Sequence, residues 1–306
     1  MSDNHYLVAV TLATCAATAL FVLALTPLLA TFLQKHKVYK MPTSDRWHTR
    51  PTVSFGGIAM FIGCCGGAIV SPYSLGIFPA LGIGLLFAAG VIDDCLRLTP
   101  RLKLLFQYAA AVIIVSGGLV FHLTGSMIWD QIITASWIVF VVNAVNFSDS
   151  MDGLSSGLSA ISAFFLGVIS LSISSREGAL AAALTFGACL GFLRFNTHPA
   201  RIFMGDCGAH LLGALIAISA IFTANVTEHL YHGAWFATVC VGYPIIDTSF
   251  VILRRLLHKQ NIFQGGKDHL PYIMVYHGYS ESSVIGILYL AQIVLITVLL
   301  FLIFRL

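Results

Sequence analysis

The sequence predicts an all-α polytopic membrane protein with about ten transmembrane helices, and three observations carry that prediction. Composition is the first: 58% of the residues are hydrophobic, only 9% are charged, and the mean hydropathy is +0.90. A soluble globule with a polar surface cannot be built from that mixture. The second is a succession of apolar segments, each close to the ~20 residues that a helix needs to cross the hydrocarbon core. The third is the placement of charge, which falls between those segments and mostly on one side of them.

Residues 6–33 form the first segment; they carry no small-residue cleavage site and run into a basic loop, so they read as a retained helix. Residues 53–71 and 74–92 are the second and third spans, and the third ends on Asp93 and Asp94. The fourth and fifth, 102–124 and 127–145, meet at Gly125, and the fifth continues into NAVNFSDSMDG. Residues 154–173, 178–195 and 208–226 follow, the last entered through Asp206. The ninth span, 233–253, contains Pro244 and Asp247, and the tenth is 283–304. No linker, low-complexity run or repeat interrupts the series, so residues 1–306 read as a single integral membrane domain.

Orientation follows from the cations. All 16 Lys and Arg except Arg176 and Arg305 fall after odd-numbered spans, which places those loops in the cytoplasm and both termini outside. The acids, which play no part in that assignment, agree with it: Asp45, Asp93, Asp94, Asp149, Asp152, Asp206, Asp268 and Glu281 lie in or beside the same loops. The seven cysteines form neither a CxxC pair nor a zinc-type spacing and read as small packing residues.

Carboxylates are costly in a bilayer unless paired, so acids held at the edge of apolar spans are candidates for function. Asn143, Asn146, Asp149 and Asp152 recur every third residue, a spacing that lines them along one helical stripe. Adjacent acids on a helix point about 100° apart, so Asp93 and Asp94 are free to take different roles. Several Asp on span ends, mixed with Lys and Arg, suit a divalent cation that keeps some waters and also binds substrate phosphates. That describes Mg²⁺ better than zinc or calcium. The simplest reading is a phosphoryl-transfer site at the cytoplasmic face with one lipid-borne substrate.

Plainer readings compete at each motif. An Asp pair at a helix end also caps helices, the Asn143 block also makes a polar seam between helices, and Gly153 with Gly157 reads as close helix packing. Lys103 at a span start would ordinarily snorkel to the headgroups. His48 and Arg50 read as loop structure or lipid-phosphate contacts, and Asp247 as a structural acid paired with Arg254, Arg255 or a neighbouring helix.

Six blocks then carry a resemblance: SDRWHTRPTVSFGGIAMF (44–61), VIDDCLRLTPRLKLLFQ (91–107), NAVNFSDSMDGLSSG (143–157), FNTHPARIFMGDCGAHLLG (195–213), YPIIDTSFVILRR (243–255) and GGKDHL (265–270). In this order they resemble the polyprenyl-phosphate N-acetylaminosugar-1-phosphate transferases, glycosyltransferase family 4. The start of the first block and FQGGKDHL are more similar to the WecA- and TagO-like branch than to the MraY branch. The resemblance implies that undecaprenyl phosphate attacks the β-phosphorus of a UDP-N-acetylhexosamine such as UDP-GlcNAc, releasing UMP and starting a lipid-linked glycan. It implies a multi-pass protein of the bacterial inner membrane, dependent on Mg²⁺ or Mn²⁺, with no nucleic-acid partner and with homodimer formation left open.

The same resemblance implies site residues. Asp93, Asp94, Asp149 and Asp152 match catalytic acids; Asp206, with Asp94, matches the metal position; and Lys103, Asn143, Asn146, Asn196 and His269 match substrate-binding positions. One departure stands out. The family segment continues as DHLHH, whereas this chain reads Asp268, His269, Leu270, Pro271, Tyr272. That change implies a shifted sugar specificity. The alternatives are an MraY-like transferase for a UDP-MurNAc-pentapeptide, a catalytically silent scaffold, and a transporter; the last is disfavoured because the acids gather at one face and no repeat is found.

Overall fold

The computed structural model describes residues 3–41, 51–226, 238–261 and 266–305, and these are overwhelmingly helical. In chain order the helices are α1 (Asp3–Lys35), α2 (Gly56–Val70), α3 (Ile77–Leu96), α4 (Pro100–Ser116), α5 (Met127–Ser148) and α6 (Leu154–Ser172). They continue as α7 (Arg176–Asn196), α8 (Gly205–Val226), α9 (Tyr243–Leu257), α10 (Leu270–Tyr276) and α11 (Glu281–Arg305). Seven of them, α1, α3, α5, α6, α7, α8 and α11, are long and apolar enough to cross a membrane. The protein is a multi-pass helical membrane protein. The expected segments at α2, α4 and α9 appear as helices of 15, 17 and 15 residues.

Helix α8 is the axis of the bundle. Its apolar window is 94% buried, against 22% for α1 and for α11, and it packs on α2, α3, α5, α6 and α7. Helix α1 lies outside, against α2 and α7. Two glycines allow the close approach that brings the functional ends together: a Cβ at Gly90 of α3 would run into the backbone of Cys207, and one at Gly57 of α2 into the backbone of Gly208. Helices therefore meet backbone to backbone here, as small residues permit in membranes.

Two segments depart from the sequence reading for clear physical reasons. The fourth span was expected to run to residue 124, but α4 stops at Ser116 before Gly117 and Gly118, the latter with φ of +85°. The apolar run after it is buried as irregular chain, with Val120 and Phe121 under α5. Its backbone N–H groups find acceptors on α5: Phe121 donates to Thr134 Oγ1, and Leu123 and Thr124 to Asp130 Oδ1. Asp130, expected at the outer face, is thus 3% exposed and holds a loop.

The ninth span is broken at Gly242, φ +54°, before α9 begins; its first part, 233–237, lies outside the described residues. Non-helical backbone at membrane depth needs partners, and Gln292 of α11 supplies them. Its Oε1 accepts from Tyr243 N at 2.5 Å, while Nε2 lies within hydrogen-bonding distance of Cys240 O, Val241 O and Ser162 Oγ. Beyond the break α9 turns Tyr243, Asp247 and Val251 inward at four-residue spacing and leaves Ile246, Phe250 and Leu253 exposed.

The loops are stitched rather than loose. Strand β1 (Tyr39–Lys40) pairs antiparallel with β2 (Thr52–Val53), with Tyr39 opposite Val53 and Lys40 opposite Thr52. Val53 also bridges Ile202, and Gly56 N and Gly57 N donate to Phe203 O and Met204 O. The entrance to α2 is in this way fixed to the entrance to α8.

Replacing Gln292 by Leu leaves backbone groups at the break without a partner, each at about 1–3 kcal/mol. Gln292→Leu is expected to lower the thermal unfolding midpoint in detergent by several degrees, a drop of roughly the size such a loss gives in a protein this large; an unchanged midpoint would show that the break is held by something else.

Candidate active site

Three helix ends converge on one charged centre. Asp93, in the last turn of α3, and Asp206, in the first turn of α8, both contact Lys103 of α4, at 3.0 and 2.6 Å from its Nζ. The third donor of that ammonium goes to Asn146 Oδ1 of α5 at 3.2 Å. The two carboxyl groups also lie within hydrogen-bonding reach of each other. Helix α4 can place Lys103 here because Thr99 caps it and Pro100 opens it. The second oxygen of Asp93 accepts Leu98 N at 2.7 Å, which fixes the exit from α3.

Asp94 is used differently, as the 100° offset allows. One oxygen accepts Cys207 N at 3.1 Å, at the first turn of α8, and the other takes Lys40 Nζ from β1 at 2.8 Å. Its side chain is 1% exposed, compared with 11% for Asp93 and 28% for Asp206. Asp94 thus joins α3, α8 and the β1 strap, while Asp93 and Asp206 face the open side. A cavity of about 740 Å³ opens there, lined by Lys40, Ser54, Asp93, Asp94, Arg97 and Asp206 among others.

One turn deeper lies a second polar layer. Asn143 and Gln107 pair through their amides, Asn143 Nδ2 to Gln107 Oε1 at 2.7 Å, and Gln107 Nε2 approaches His210 Nε2 at 3.2 Å. His210 Nδ1 is 3.2 Å from Leu86 O, so the ring carries its proton there and accepts from Gln107 at Nε2. Gln107 and His210 were not foreseen as site residues. The signal was present in the spacing: each lies four residues after a charged centre residue, Lys103 and Asp206.

The NAVNFSDSMDG block does not stay on one helical stripe. Helix α5 ends at Ser148, so Asn143 and Asn146 point into the two polar layers, Asp149 is the C-cap, and Asp152 lies in the following turn. Asp152 Oδ2 accepts Ala200 N at 2.9 Å and lies 3.1 Å from His198 Nδ1, which also faces Glu281 at 3.3 Å. Asn196 is buried beside this turn: its Oδ1 accepts Gly153 N and Ser156 Oγ, and its Nδ2 donates to Ile202 O. Tyr272 Oη donates to Ser150 O and Tyr289 Oη to Gly153 O. Gly153 serves as a left-handed helix start, φ +78°, and only Gly157 is a packing glycine, seated against Tyr289.

Asp247 pairs with neither Arg254 nor Arg255, contrary to two of the expected alternatives. It holds His269: Asp247 Oδ2 is 2.8 Å from His269 Nδ1, and Oδ1 accepts Leu270 N at 2.8 Å, so the acid fastens the start of α10 to α9. Arg255 forks onto Asp268, at 2.7 and 2.6 Å, and this guanidinium holds the Asp268 carboxyl below the usual carboxylate range. His277, exposed at the end of α10, bonds Ile273 O and takes no part in the centre. His48 and Arg50 lie outside the described residues.

Among the described residues no group of three or more His, Cys, Asp or Glu encloses a metal position. Two neighbouring carboxylates, Asp93 and Asp206, are what this centre can offer a cation. That donor set fits Mg²⁺, which binds through one or two carboxylates and takes its other oxygens from phosphates and water.

A carboxylate–lysine centre at the ends of apolar helices defines a membrane-embedded enzyme with polar substrates. Comparison with known proteins agrees: "Glycosyl transferase family 4" matches residues 77–224. The chain is 33% identical over 285 residues to the "Probable undecaprenyl-phosphate N-acetylglucosaminyl 1-phosphate transferase" of Bacillus subtilis, covering 89% of this chain and 79% of that protein. It is 30% identical over 283 residues to the "Decaprenyl-phosphate N-acetylglucosaminephosphotransferase" of Mycobacterium tuberculosis, covering 79% and 70%. It is also 30% identical over 251 residues to the "Undecaprenyl-phosphate alpha-N-acetylglucosaminyl 1-phosphate transferase" of Thermotoga maritima, covering 81% and 77%. The chain belongs to glycosyl transferase family 4.

Proposed function

We propose that this protein transfers N-acetylglucosamine 1-phosphate, or the 1-phosphate of a closely related N-acetylhexosamine, from its UDP-sugar to undecaprenyl phosphate. An oxygen of the lipid phosphate bonds to the β-phosphorus of the donor, the bond from that phosphorus to the UMP oxygen breaks, and UMP leaves. The observation that carries the reading is the Asp93–Lys103–Asp206 centre, which places acids and a cation beside an open cavity in a chain of this family. A phosphoryl transfer asks mainly for positioning and for charge neutralisation.

The residues divide the work. Lys103 bridges Asp93 and Asp206, and the Gln107–Asn143–His210 layer packs beneath Lys103 and Asn146. Asp93, more open than Asp94, is the acid placed to take a proton from the lipid phosphate. Asp206 would be the carboxylate that holds Mg²⁺, which when bound would neutralise charge on the leaving phosphate. His269, oriented by Asp247, lies edge-on to Phe147, next to Asn146, which supports a role at the donor. Tyr272 stands where the family has a histidine and is fastened to Ser150, which supports an altered sugar preference.

The same reading places ten spans across the bacterial inner membrane, with the centre at the cytoplasmic face. Lys103, Arg97, Arg194 and Arg254 all lie at the helix ends of that face, which supports the orientation. A cysteine label introduced at Gly125 should react from outside and one at Gln260 only from the cytoplasm; both reacting from one side would break the ten-span arrangement.

Purified protein given Mg²⁺, undecaprenyl phosphate and a panel of UDP-sugars should release UMP with at least one UDP-N-acetylhexosamine. EDTA should abolish release and Mg²⁺ or Mn²⁺ restore it. Full activity in excess chelator would remove the cation from the mechanism, and no UMP from any donor would leave the silent-scaffold reading.

A further inference from the structure

A second lysine of this centre, which the sequence does not single out, keeps donors that Lys103 does not. Lys103 has spent its three N–H donors on Asp93, Asp206 and Asn146, and an ammonium has no fourth. It is the counter-ion of the acid pair and is absent from the lining of the cavity. Lys40, by contrast, lines that cavity and makes one side-chain bond, to Asp94 Oδ1 at 2.8 Å, so two of its donors have no protein partner among the described residues. Nearby on the same wall is Ser54, 1% exposed, whose hydroxyl has no hydrogen-bond partner among the described residues. A buried hydroxyl left that way is costly unless a ligand or water satisfies it.

We propose that Lys40 and Ser54, carried on the β1–β2 strap, form a subsite for one substrate phosphate group, with Lys40 as the cation that contacts it. The strap is well placed for this. Lys40 pairs with Thr52 in the two-stranded sheet, Ser54 follows Val53, and Val53 is tied to the segment that enters α8, so the subsite is fixed relative to Asp206. Among the described lining residues three are acids, Asp93, Asp94 and Asp206, and an incoming phosphate needs a cation beside them. Lys40 lines the cavity beside Asp94, so it can satisfy the acid with one donor and the phosphate with the others. The phosphate belongs either to the nucleotide diphosphate or to the lipid; both present the same oxygens.

This inference rests on the proposed transfer, and the test separates the two. Lys40→Gln keeps a hydrogen-bond donor for Asp94 and removes the charge; Lys40→Arg restores the charge. UMP release would be measured while the UDP-sugar and undecaprenyl phosphate are varied in turn. Loss of a charged hydrogen bond predicts that Lys40→Gln raises one KM by about 10- to 100-fold with a smaller change in kcat. A rise confined to the UDP-sugar assigns the subsite to the diphosphate, and a rise confined to the lipid assigns it to the lipid phosphate. Lys40→Arg should stay within about threefold of wild type, and Ser54→Ala should raise the same KM by a smaller factor.

Calorimetric binding of UDP and of uridine supplies a readout independent of turnover. Under the diphosphate assignment Lys40→Gln weakens UDP and leaves uridine unchanged; under the lipid assignment both nucleotides are unchanged while the lipid KM rises. An active enzyme whose two KM values are untouched by Lys40→Gln would overturn the subsite and leave Lys40 as a mere counter-ion of Asp94. A wild type that releases no UMP and binds no UDP would overturn the transferase reading and the subsite together, whereas a silent wild type whose UDP binding falls in Lys40→Gln would retain the subsite alone.

Discussion

Three carboxylates at the end of apolar helices can stand together only because ammonium groups from other segments reach them. Asp93 and Asp206 share Lys103, and Asp94 takes Lys40. Much of the architecture follows from that requirement. Helix α4 is short and begins with a basic turn, so that Lys103 sits at the depth of the acids. Gly90 and Gly57 bring α3 and α2 onto the backbone of α8, and the α3–α8 approach sets Asp93 and Asp206 within reach of one ammonium. The β1–β2 strap closes the group from the remaining side.

The second constraint is that no backbone at membrane depth can be left without partners. It explains several buried polar residues outside the contacts of Lys103. Gln292 serves the break at Gly242, Asp130 and Thr134 serve the irregular run after α4, and Asn196 serves the turn that carries Asp152. Each is a side chain that would look functional by burial alone. The turn from Asp149 to Gly153 is held by Asn196, Tyr272 and Tyr289 at once.

The fold was largely legible because a bilayer makes composition and segment length decisive. What failed to show was where an apolar run stops being helix: LVFHLT after Gly118 is as apolar as a span, and its irregular shape depends on acceptors fourteen or fewer residues away on α5. The centre was legible in part. Asp93, Asp206, Lys103, Asn143 and Asn146 meet as their positions at span ends suggested, whereas the partition between Asp93 and Asp94 needed the positions of Lys40 and Cys207. Periodicity misled at Asp152, since the three-residue spacing continues past a helix end. Asp247 found a histidine instead of an arginine because α10, a helix of 7 residues, is invisible to hydropathy. Lys40 carried no motif, and only the packing of distant segments gives it a partner.

The central claim is that Lys103 acts as the counter-ion of the acid pair. A double-mutant cycle on thermal stability tests it most directly, with Lys103→Met, Asp206→Asn and the two combined in detergent-solubilised protein. Lys103→Met leaves two carboxylates without their cation and Asp206→Asn takes from the ammonium its shorter contact, so each single change should destabilise, and the combination should be less damaging than the sum by roughly 0.5–3 kcal/mol. Effects that add to within about 0.5 kcal/mol would contradict the account, for they would mean that lysine and carboxylate do not depend on one another.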